Sequence, residues 1–84
     1  MIAEIEKLKE GWQGISIGLS NDEVDHLISL LQDIKKDNDQ HFHISSTWEG
    51  DPGIGDIEIY IKDEKQKNNM SLSSLAIEPY AEVK

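Results

Sequence analysis

The stretch Ser20-Asn21-Asp22-Glu23-Val24-Asp25-His26-Leu27-Ile28-Ser29-Leu30-Leu31-Gln32-Asp33-Ile34-Lys35-Lys36 decides the fold. Ser20 is a good N-cap, and Glu23 lies three residues on. Together they make a capping box, in which two orphan amide donors at the helix start are satisfied reciprocally. Asp22, Glu23 and Asp25 fall in the first turn, where the helix dipole favours negative charge. Lys35 and Lys36 fall in the last, where it favours positive charge. At 100° per residue, Val24, Leu27, Ile28, Leu30, Leu31 and Ile34 share one arc of about 160°. The pattern predicts an amphipathic helix over about residues 21–36 that buries this stripe against a sheet. Asp37-Asn38-Asp39 ends it.

Strand signals flank the helix. Before it, Ile15, Ile17 and Leu19 alternate with Ser16 and Gly18, the period of a half-buried strand. Residues 1–10 fit two states. Ile2, Ile5 and Leu8 have helical spacing, whereas a turn near Glu10-Gly11 would make a hairpin, the preferred reading. After the helix, Gln40 to Trp48 alternates, with Phe42 and Ile44 on one face and His41 and His43 on the other. Glu49-Gly50-Asp51-Pro52-Gly53 is turn chemistry. Ile57, Ile59 and Ile61 then alternate with Asp56, Glu58, Tyr60 and Lys62. Leu72, Leu75 and Ile77 are candidates for a last segment covering an edge, and the tail after Pro79 is expected to fray. The expected architecture is a single α+β domain over residues 1–84: two layers, an antiparallel sheet with the helix on one face.

Composition narrows the function classes. The chain has 84 residues, no cysteine, and a net charge of −9 from 17 acidic and eight basic residues. Disulfides and thiolate metal sites are excluded. All eight basic residues are lysine. A strongly negative chain without Arg is repelled by phosphate backbones and lacks the planar fork that reads phosphates and base edges. Nucleic acid and anionic membranes are therefore poor partners, and a basic protein is a good one. Acidity that merely keeps a small protein soluble is the plain alternative. No stretch approaches the roughly 20 apolar residues of a membrane span, and no secretory signal is read, so a cytoplasmic protein is the default expectation.

Catalytic frames are missing from the sequence. No G-x-S-x-G surrounds a serine, no longer metal signature such as H-E-x-x-H is present, and the glycines form no G-x-G-x-x-G. Many carboxylate pairs exist, but none is marked by an apolar setting that would raise a pKa. We expect no catalysis and no cofactor. His41-Phe42-His43 is an H-x-H on a strand, so both imidazoles project from one face. Such a pair can ligate a metal with a third ligand from Asp56 or Glu58. Exposed histidines that touch a protein partner are the alternative reading, and no metal is assigned. Parity puts Trp48 in the core with Phe42 and Ile44, unless a bend at the strand end turns it out as a binding anchor. The expected contact surface is the open sheet face around His41, His43, Glu58 and Tyr60, with Trp48 and Asp51 at its end. A structural subunit that adds a strand through an exposed edge is a further alternative.

The run from the helix cap through His41-Phe42-His43-Ile44 to Trp48-Glu49-Gly50 resembles the small bacterial immunity proteins of polymorphic toxin systems known as immunity protein thirty-two. The likeness covers about residues 12–62 and rests on an H-x-H-Φ strand followed by W-x-G. It implies a non-catalytic α+β protein that binds and blocks a cognate toxin domain, often a nuclease. His41, His43, Trp48 and Gly50 are the positions it carries over.

Overall fold

The computed structural model describes residues 1–73. Its elements run β1 (Ile2–Lys7), a 3-10 turn (Lys9–Gly11), β2 (Gln13–Gly18), α1 (Asn21–Lys36), β3 (His41–Ser45) and β4 (Asp56–Tyr60). The α+β class and the position of the helix follow the expectation. Within residues 1–10, Ile2–Lys7 is a strand that turns at Lys9–Gly11, so the hairpin alternative is the one observed. The strands form two separate antiparallel pairs, β1–β2 and β3–β4, among the described residues. Leu72 is exposed and outside any element. The expectations for Leu75, Ile77 and the tail after Pro79 lie outside the described residues.

The first hairpin is closed by local backbone chemistry. Glu10 and Gly11 both adopt left-handed φ, at 59° and 82°. That geometry returns the chain so that the Leu8 amide donates to the Trp12 carbonyl at 2.9 Å. Ile5 then opposes Ile15, and Ala3 opposes Ile17. The second hairpin sets Phe42 against Ile59 and Ile44 against Ile57, which gives it one apolar face. That face turns inward and is half-buried, while His41, His43 and Ser45 face out.

The helix begins as its sequence requires. The Glu23 amide donates to Ser20 Oγ at 3.2 Å, and the Ser20 amide donates to Glu23 Oε1 at 3.0 Å. The Met1 ammonium donates to Glu23 Oε2 at 2.8 Å. That ammonium first, and then the Ser20 donors, hold the Glu23 carboxyl down at about 2. At the other end, the Asp37 amide still bonds the Asp33 carbonyl before the chain leaves in an extended conformation.

The expectation that the whole apolar stripe is covered needs correction. Leu27 and Leu30 are half-buried, and Ile34, at 4 % exposed, is the one buried residue among those described. Val24, Ile28 and Leu31 remain 40 %, 48 % and 42 % exposed. The split has a geometric origin. Leu27, Leu30 and Ile34 occupy one side of the stripe, within an arc of about 60°, and Leu31, Val24 and Ile28 fill the adjoining arc of about 60°. The helix contacts β3. A two-stranded sheet is too narrow to roof the full stripe, because neighbouring strands lie only about 5 Å apart.

Candidate functional site

The outward face of the second hairpin is the site the sequence indicated. The antiparallel register places His41 opposite Tyr60, His43 opposite Glu58 and Ser45 opposite Asp56. Side chains directly opposite on one face lie about 5 Å apart at Cβ, near enough for their functional groups to meet. His41, His43, Glu58 and Tyr60 are therefore brought together on one exposed patch.

Contacts within the patch are polar and specific. His43 Nδ1 lies 2.9 Å from Asp56 Oδ2, and Ser45 Oγ donates to Asp56 Oδ1 at 3.0 Å. The His43 bond, and after it the Ser45 bond, hold the Asp56 carboxyl below its ordinary range. An ionised carboxylate only accepts, so Nδ1 carries the proton and the neutral ring keeps its lone pair on Nε2. His41 Nε2 stands 3.9 Å from Glu58 Oε1. The two imidazoles meet edge to face, with centroids 5.0 Å apart and planes at 79°. Tyr60 Oη accepts from Gln66 Nε2 at 3.3 Å, which ties the patch to the segment after β4.

Trp48 does not enter the core. Strand pairing ends at Ser45, so the alternation that would have placed Trp48 with Phe42 and Ile44 stops three residues short. Trp48 adopts φ of 60° and is 77 % exposed. Its amide donates to Ser46 Oγ at 2.9 Å, and the Ser46 amide donates to the Gly55 carbonyl at 2.8 Å. The bent backbone lays the indole across Gly55. A Cβ added there would come within 2.8 Å of indole Cζ3. Gly55 is thus the floor under an exposed aromatic just before β4, a role the bare turn motif did not reveal. Gly50, at φ 80°, supplies the left-handed bend that follows. Asp51 is exposed on the same connection and is not drawn into the histidine cluster.

Two polar residues gain a role from the fold: Asp56, a possible metal ligand by sequence, and Ser45, which no motif marks. Their partnership with His43 depends on register, which the ten-residue connection between the strands obscures. One signal was available in the charge order. From Asp37 to Ile61 the chain carries Asp37, Asp39, Glu49, Asp51, Asp56 and Glu58, and no lysine. The basic residues sit in the first hairpin, at the helix end and from Lys62 onward.

Among the described residues no helix is long and apolar enough to cross a membrane. Comparison of the chain with family models, with curated proteins and with solved structures finds no match.

Proposed function

We propose that this chain is a non-catalytic acidic binding protein that docks a basic protein through the outward face of β3–β4. We propose further that it is an immunity protein against a nuclease-like toxin. One observation carries the reading. An exposed face of His41, His43, Glu58 and Tyr60, with Trp48 and Asp51 exposed on the connection that leads into β4, lies in a segment with six carboxylates and no lysine. Carboxylates displayed this way mimic phosphates, and a basic groove that grips phosphate receives them. Trp48 supplies what charge alone lacks, a large aromatic able to anchor an interface. The resemblance in the H-x-H and W-x-G motifs gives the partner class.

Co-expression with a toxin encoded beside this gene tests the proposal. Protection of the cells is expected, with a complex that co-elutes and weakens as salt rises. Loss of both protection and complex on changing Trp48→Ala together with Glu58→Lys is expected as well. Neither protection nor a complex from the native pair would refute the immunity assignment. A complex untouched by the double change would refute the surface.

A further inference from the structure

We propose that His41, His43 and Glu58 form a binding site for a divalent transition-metal cation, with Zn²⁺ as the reference ion. The proposal goes beyond partner binding and does not rest on it. One ring nitrogen from each histidine and one carboxylate oxygen of Glu58 lie within 4.8 Å of one another. Around a tetrahedral Zn²⁺ with bonds of about 2.0–2.2 Å, ligand atoms stand roughly 3.4 Å apart. All three side chains are exposed. Small rotations about their χ angles therefore close the set without moving the strands.

The donor chemistry fits. Two imidazoles and one carboxylate are ligands of borderline cations such as Zn²⁺, Ni²⁺ and Cu²⁺. Hard cations such as Ca²⁺ prefer six or more oxygens, which this patch does not offer. Three protein ligands leave at least one coordination position open to solvent.

A second arrangement points the same way. Metal-ligating histidines almost always donate their other ring N–H to a carboxylate or carbonyl, which sets the tautomer and raises ligand basicity. Asp56 does this for His43 at 2.9 Å, and Ser45 Oγ in turn orients Asp56 from 3.0 Å. The chain Ser45–Asp56–His43 thus presents Nε2 of His43 with its lone pair free. A pair of histidines exposed only for solubility has no need of such support. His41 and Glu58, 3.9 Å apart, are too distant for a hydrogen bond and so are not tied to each other. The strands set the ligands two apart on β3 and directly opposite on β4, so the backbone of the hairpin carries the preorganisation.

The test is a Zn²⁺ titration of the full, tag-free chain at neutral pH, followed by calorimetry and by imidazole NMR signals. One ion per chain with a Kd tighter than about 100 μM is expected. The His41 and His43 signals should move together, while His26, on the helix, stays still. The double change His41→Ala, His43→Ala should weaken binding by at least ~30-fold. Asp56→Asn, which keeps all three ligands, should weaken it by roughly 10–100-fold. The secondary structure of each variant is checked by circular dichroism. The site is overturned by affinity weaker than about 100 μM. It is equally overturned by unmoved His41 and His43 signals in the unmodified chain, or by a folded double variant that still binds like it. An unaltered affinity in Asp56→Asn would remove Asp56 as the positioning residue.

Discussion

Replacing Ile34 by Ala, and in parallel Leu31 by Ala, tests how this small domain is held together. Each change deletes three carbons from the same helix face. Ile34 is 4 % exposed, so nearly all of its side chain leaves water on folding. Three buried carbons at about 0.8 kcal/mol each come to about 2.4 kcal/mol of lost transfer free energy. A cavity adds to this, but Leu27 and Leu30 are only half-buried and can settle into the space. The better helix propensity of Ala returns roughly 0.4 kcal/mol. We expect Ile34→Ala to cost about 2–3 kcal/mol. Leu31 is 42 % exposed, so the same arithmetic scaled by burial predicts about 1 kcal/mol. In a domain this small the pair should differ by roughly 4–8 °C or more in Tm. Thermal and urea unfolding followed by far-ultraviolet circular dichroism measures both, repeated over a wide range of protein concentration. Equal costs at the two positions would refute the reasoning, because Leu31 would then be as buried as Ile34. A Tm that climbs with concentration would identify association between copies as the source of that cover.

Other outcomes follow from single contacts. Ser20→Ala removes the Oγ that accepts from the Glu23 amide and should cost about 1 kcal/mol, read by urea unfolding. The same change should raise the Glu23 carboxyl from about 2, read by carboxyl NMR titration. Because the folded pKa of Glu23 is depressed, its contribution to stability is present above its ordinary value of 4.5 and is lost as pH falls towards 2. In Glu23→Gln that acid dependence should flatten. His43→Gln removes the first cause of the low Asp56 pKa, so the Asp56 carboxyl should titrate nearer its ordinary range by NMR, with the rest of the chain unchanged. Gly55→Ala puts a methyl where the Trp48 indole lies, and that exposed ring is free to swing aside. Stability should change by less than about 1 kcal/mol, since a surface ring and not the backbone gives way. Trp48 fluorescence, read in a Trp12→Phe background, should shift; an unchanged spectrum would contradict the stacked geometry.

Much of the fold was legible because it is written in short-range chemistry. The capping box needs only Ser20 and Glu23, three residues apart, and it forms as the spacing predicts. The outward set His41, His43, Glu58 and Tyr60 follows from two-residue periodicity, and the register keeps it on one face. Trp48 was harder. Alternation says nothing about where a strand stops: the Ser46 amide still bonds the Gly55 carbonyl in register, and the left-handed backbone at Trp48 then breaks the extended run. The role of Asp56 was hidden for a related reason. Asp56 opposes Ser45 and reaches His43 diagonally, a placement set by the register of the two strands, and a slip of one residue would send every side chain to the other face.

The small acidic α+β chain, its capped helix and its histidine-bearing strand face were determined by the sequence by itself. Those features arise from charge, from caps and from periods of 3.6 and two, all local quantities. Tertiary structure alone decided three others: the division of the strands into two hairpins, the covering of half the helix stripe, and the joining of Asp56 to His43. Each depends on which distant segments meet and at what angle. Periodicity marks the face that seeks cover, while the width and placement of the opposing strands determine how much of it is covered.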